Sequence, residues 1–174
     1  MTSGKRLEYD NIDIDSIDID DIAHALSNIC RYSGNCNQFY SVAQHSVLVS
    51  YYVSKEYTLQ ALMHDAAEAY ISDIPSPLKQ LLPKVNEIEE NIIKHIFFKF
   101  NIDYPISEEV KKVDKQVLLL EKELLINNQN DWGIDVDPLL IAQNPLEHMG
   151  FWEPKLAKMK FMSRFRELTE REEI

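Results

Sequence analysis

Glycine and proline are scarce, with four and seven in 174 residues. So few chain breakers exclude a turn-rich sheet protein, and the plentiful leucine, isoleucine, glutamate and lysine predict an all-α fold built on long helices. Positive charge is also in short supply. Eighteen lysines and arginines face 29 aspartates and glutamates, a formal net charge of −11. Such a surface repels polyanions at long range and excludes a broad grip on duplex nucleic acid. A small nucleotide is not excluded, because a few cations and a metal ion outweigh the global field inside one pocket. No apolar run approaches the ~18 residues of a transmembrane helix, and the opening MTSGKRLEYDN lacks a signal peptide's apolar segment, so the expectation is a cytoplasmic protein that avoids membranes. There are only two cysteines, Cys30 and Cys36. Their spacing fits neither a zinc knuckle nor a redox CxxC pair, and they read as reduced, ordinary residues.

What is present is 45% hydrophobic sequence, enough for one substantial core and too short for two. The expectation is one domain: an acidic N-terminal arm over 1–19, a helical core over 20–126, and a C-terminal loop and helix over 127–174. In the arm, isoleucine alternates with aspartate through NIDIDSIDIDD. That pattern reads as a strand, or as an extended arm or small hairpin docking its isoleucines on the body; the lack of a partner strand favours the latter. A calcium loop would need a glycine and a terminal glutamate that this run lacks.

Beyond the arm, Asp20 or Asp21 is placed to cap a helix through IAHALSNIC, which ends before the loop RYSGNCNQ. Further helices are expected over about 39–54, 59–70 and 85–100. The next is opened by Ser107 and Glu109 and carries the core stripe Val110, Val113, Val117, Leu120 and Leu124. Residues 127–150 read as loop with a helical turn over 138–142, and a last amphipathic helix starts at Pro154.

The chemistry concentrates in LQALMHDAAEAY. At about 100° per residue, Gln60, His64, Asp65 and Glu68 share one side of this helix, opposite Leu59, Leu62, Met63, Ala66, Ala69 and Tyr70. Exposed faces normally carry lysine or arginine among their acids, and this one has none, so it reads as an inward, specialised face. His64 and Asp65 can reach one ion, with Glu68 a turn away as an acid–base group. A bare His-Asp pair is common by chance. Support comes from His45, set among Val42, Leu48, Val49 and Tyr52, and from Asp114 beside Val113 and Val117; a core histidine or a paired carboxylate is the ordinary alternative at each. Together they make an N₂O₂ set suited to zinc, manganese, iron or cobalt.

With H at 45, HD at 64–65 and D at 114, the chain resembles the HD-domain phosphohydrolases. YSVAQHSVLVSYY and ALMHDAAEAYISDIPSPLK are similar to the branch of bacterial 5′-deoxynucleotidases and compact phage dATP triphosphohydrolases of the DatZ type, over about residues 20–125. The resemblance implies a single HD-domain bundle with His45, His64, Asp65 and Asp114 holding a divalent transition metal such as zinc, cobalt or manganese. It also implies that Glu68 and Asp73 assist the attacking water or the leaving group and that Arg31 handles phosphate. Lys79 is a second phosphate contact or a plain solvent-facing lysine. Where nucleotidases of the branch carry tryptophan after the arginine, this chain has Tyr32, a candidate for substrate discrimination.

The implied reaction is hydrolysis of a deoxynucleoside triphosphate, dATP first, to deoxynucleoside and triphosphate, or of a deoxynucleoside monophosphate. The implied state is a homo-oligomer, dimer or hexamer, in the cytoplasm (a host's, where phage-encoded). A nucleotide-sensing regulator that keeps its metal, and a structural bundle with chance histidines, are the rivals. His24, His95 and His148 read as structural or surface residues, and Trp132 and Trp152 as core or interface anchors.

Overall fold

The computed structural model describes residues 1–126, 133 and 150–170. The expected turn over 138–142, Trp132 and His148 lie outside the described residues. Among those described, the chain is helical and no strand forms. The longest elements are α1 (Ile19–Asn28), α2 (Val42–Val49), α6 (Pro83–Lys99), α7 (Glu108–Leu125) and α8 (Pro154–Thr169). Short helices α3 (Thr58–Met63), α4 (Glu68–Ile71) and α5 (Ser76–Lys79) lie between them.

The arm does not pair as a strand. It docks, with Ile17 fully buried and Ile12 and Ile19 packed against the core. Its aspartates serve helix ends: Asp13 accepts from the Asp15 N–H at a short 3₁₀ turn, and Asp18 from the Asp20 N–H at the start of α1. The cap of α1 is therefore Asp18 rather than Asp20 or Asp21, because Asp21 is occupied holding Thr2 and Ser3. The helix expected over 39–54 is shorter, starting where Ser41 accepts from the Gln44 N–H.

The expected helix over 59–70 is broken. It closes at Met63 and reopens at Glu68, and in between Ala66 N–H bonds to Met63 O at 3.0 Å and Glu68 N–H to Asp65 O at 3.0 Å. These i→i+3 bonds overwind the chain at His64 and Asp65. By contrast α7 begins at its expected cap, with Ser107 accepting from the Val110 N–H, and Val110, Val113, Val117 and Leu120 are buried along it.

Two apolar clusters result. One joins α1, α2, α6 and α8 through Leu26, Ala43, Ile96 and Phe161; the other seats α7 on Leu48, Val49 and Ala61. Trp152 is buried in the first, as expected of an anchor. The half-buried His95 ring bonds to Asn91 O, and His24 is exposed. No described helix is long and apolar enough to cross a membrane.

Candidate functional site

Helices α2 and α7 and the overwound turn after α3 converge on one point. His45, His64 and Asp114 each bring one potential ligand atom there, all within 4.8 Å of one another. Asp114 Oδ1 stands 3.0 Å from His45 Nε2 and 3.8 Å from His64 Nε2; Asp65 Oδ2 stands 3.6 and 3.3 Å from the same nitrogens. Both Nε2 atoms are buried, with these carboxylate oxygens as their nearest polar neighbours and no hydrogen bond made.

The opposite ring nitrogens are fixed. His64 Nδ1 lies 2.7 Å from Ala61 O, and His45 Nδ1 lies 2.6 Å from Glu121 Oε1. A carbonyl on Nδ1 makes it the protonated nitrogen and turns the Nε2 of His64 inward; the Glu121 carboxylate orients His45 the same way, its Nε2 being free to bind an ion once its proton is displaced. Outer-shell partners orient metal-binding imidazoles in this way. Two inward nitrogens beside carboxylate oxygens thus fit a divalent transition ion.

Glu121 is the site residue that sequence reasoning missed. It follows Leu120 on the helix face read as core, and nothing in a lone buried glutamate's neighbours marks it. A cue was present in its spacing: Glu121 lies seven residues, two turns, after Asp114. The carboxylate is fully buried, and besides His45 it takes the Tyr32 hydroxyl at 3.1 Å and faces Arg31 Nε at 3.1 Å. Burial opposes its charge, but Arg31 and His45 hold its carboxyl below the usual range.

Burial and the Arg31 charge oppose a proton on His45, yet Glu121 and Asp114 outweigh them and raise its pKa to about 9. Asp114 is pulled the other way: against burial, the two imidazoles hold it far below an ordinary carboxylate.

A cleft of about 630 Å³ opens over this point, walled by Arg31, Tyr32, Glu68, Asp73, Lys79 and the Pro75–Pro77 turn. A second, of about 350 Å³, reaches it from the side of α6 past Glu89, Tyr104 and Lys111; Asp65 and Asp114 border both. Arg31 is buried, with Nη1 3.6 Å from Asp65. Lys79 is not a plain solvent-facing lysine. It is mostly covered, bonded to Glu89 at 2.6 Å and 3.7 Å from Glu68.

Glu68 is buried, and its Oε2 has no hydrogen-bond partner. Burial, then the Asp65 and Asp73 carboxylates, push its carboxyl well above the usual range. Burial likewise raises Asp73. Gln60, grouped with them by helical projection, points elsewhere and ties Asp103 O and the Ser107 N–H.

Positive-φ backbone occurs in two stretches that carry cleft residues, at Tyr32 and just before Asp73. Tyr32 (φ 56°) and Ser33 (φ 53°) are left-handed without being glycine, and Gly34 (φ 78°) follows. Ser72, immediately before Asp73, has φ 73° and ψ 162°, a region that only glycine enters readily. Strain of this kind concentrates where a side chain must be presented at one place.

No protein-family model matches the chain. It is 43% identical over 171 residues to the uncharacterized protein YfdR of Escherichia coli (strain K12), covering 97% of this chain and 93% of that protein. An uncharacterized protein of Rhodobacter capsulatus is 31% identical over 137 residues, covering 71% of this chain and 70% of its own length. With nearly its whole length matched at that identity, the chain belongs to the YfdR family.

Proposed function

We propose that the chain is a metal-dependent phosphohydrolase of the HD type acting on a deoxynucleotide, dATP in the first instance, and releasing the deoxynucleoside and triphosphate. The observation that carries the reading is the pair of unpartnered, inward-facing Nε2 atoms beside Asp114, at the floor of a cleft whose wall bears Arg31 and Lys79. His45, His64 and Asp114 would hold the ion, with Asp65 beside them. A divalent ion there would polarise a phosphoryl oxygen and acidify water.

The chain's own residues would do the rest. Arg31, buried with its Nε 3.1 Å from the Glu121 carboxylate, would offer its guanidinium to phosphate from a covered position. Lys79 supplies a second positive charge further along the cleft, which suits a chain of phosphates better than one. Glu68, whose buried and acidic surroundings favour its neutral form, would offer a proton to the leaving oxygen, and Asp73 faces the same space to take one from water. Tyr32 borders the cleft with its hydroxyl turned to Glu121, leaving its ring as the surface for sugar or base.

The test is a metal-supplemented panel of nucleoside mono- and triphosphates, with orthophosphate and triphosphate distinguished among the products and Asp114→Asn as the inactive control. Triphosphate released from dATP is the expected result. Orthophosphate from monophosphates alone would replace the substrate with a deoxynucleoside monophosphate, and binding without turnover of any nucleotide would make the protein a sensor.

A further inference from the structure

Cys30 and Cys36 are free thiols, as their spacing led one to expect, but the fold brings them together. The loop between α1 and α2 is tied at its neck: Cys30 bridges antiparallel to Ser41, Arg31 N–H bonds to Tyr40 O at 2.9 Å, and Val42 N–H to Ile29 O at 3.1 Å. Its far side is held too, by Asn37 N–H on Leu125 O at 2.9 Å. Between these anchors Tyr32, Ser33 and Gly34 turn left-handed and fold the chain back on itself. The two free Sγ atoms meet at 3.5 Å, each half-buried at the rim of the exposed tip 33–35. Arg31 and Tyr32, both facing the cleft, lie between them.

We infer that Cys30 and Cys36 are a modification site: a dithiol that oxidises to an intramolecular disulfide and staples the loop carrying Arg31 and Tyr32. Closure needs about 1.5 Å of approach, from 3.5 Å to the ~2.05 Å of a disulfide, within reach of side-chain rotation. The oxidant is a small disulfide such as oxidised glutathione. The Cys30 thiolate attacks one of its sulfurs, forming a mixed disulfide and expelling one glutathione thiolate. The Cys36 thiol, deprotonated by base, then attacks the Cys30 sulfur and expels the second. Two protein thiols are oxidised, one glutathione disulfide is reduced to two glutathiones, and the second step is intramolecular. Burial and the neighbouring Cys30 push the Cys36 thiol up to about 11, so little of it is thiolate at neutral pH and closure is faster as pH rises.

The experiment takes metal-replete, full-length protein under anaerobic conditions and poises it in mixtures of reduced and oxidised glutathione, then counts alkylatable thiols by intact mass. The expected result is a loss of both thiols together, in a monomeric chain that carries no glutathione, with a peptide map joining Cys30 to Cys36. Cys36→Ser should instead retain one glutathione on Cys30. Amide exchange across 31–35 should slow at least tenfold on oxidation and recover with dithiothreitol. The inference is overturned if wild type accumulates a stable glutathione adduct or an interchain bond. It is equally overturned if wild type keeps both thiols at ratios that modify Cys36→Ser, or if loop exchange does not change. Should Cys36→Ser fail to fold, the wild-type thiol count, peptide map and loop exchange decide the outcome without it.

Discussion

Glu121 stands at the junction of two sets of contacts, and its replacement tests both. In Glu121→Gln the side chain keeps its shape but no longer offers His45 Nδ1 and Arg31 a full negative charge. Zinc affinity, measured against a competing chelator, should fall about 10- to 100-fold while the helical circular dichroism stays unchanged. An unaltered affinity would remove Glu121 from the site. His45 also makes metal uptake depend on pH. Burial and Arg31 oppose its proton, but the acids around it raise the folded value to about 9, above the ~6.5 of an unfolded histidine. In metal-free protein the stability this provides is therefore complete below about pH 6.5 and lost as pH rises through 9. An incoming ion must displace the same proton, so zinc affinity should climb by up to about tenfold per pH unit across that window. A flat profile would contradict the assignment of His45 as a ligand.

At the scale of elements, the stretch before Asp73 stores strain in one residue. Ser72→Gly should raise the urea midpoint, by about 1 kcal/mol or more of stability, because it removes a left-handed penalty and breaks no side-chain bond; a loss of stability would mean Ser72 is not strained. The helices themselves were largely readable in the sequence, since caps and apolar spacing act locally: Ser107 and the valine stripe of α7 sit where the pattern put them. The overwound turn at His64–Ala67 was not readable, because it exists to satisfy contacts made by α2 and α7. The meeting of Cys30 with Cys36 depends on three successive left-handed residues, two of them ordinary side chains, which no local preference foretells. Glu121 was hidden for a related reason: a buried acid is marked only by its partners, and those come from residues 31, 32 and 45.

Across the whole chain acid outnumbers base, 29 aspartates and glutamates to 18 lysines and arginines, so an anionic substrate meets a repulsive long-range field. Salt screens that long-range repulsion more than it weakens the covered Arg31 and Lys79. For an anionic nucleotide, kcat/KM should therefore rise as salt increases from about 10 to 100 mM, against the fall normal for a basic site; a monotonic fall would show that the local cations dominate encounter. The ligand cluster also joins α2, the α3–α4 turn and α7. Stripping metal with a chelator should thus lower the thermal midpoint of the whole chain in one transition, by an amount equivalent to ~2.7 kcal/mol where free zinc had stood at 100 times its dissociation constant.

One carboxylate, finally, is shared by the imidazole proposed to bind metal and the guanidinium proposed to bind phosphate. An anion that draws on the Arg31 charge leaves more of Glu121's negative potential to His45, and an ion seated on His45 reinforces the same arrangement from the other end. The two occupants are thermodynamically linked: each must raise the other's affinity by the same factor, so either one, titrated alone, reports on a half-prepared site.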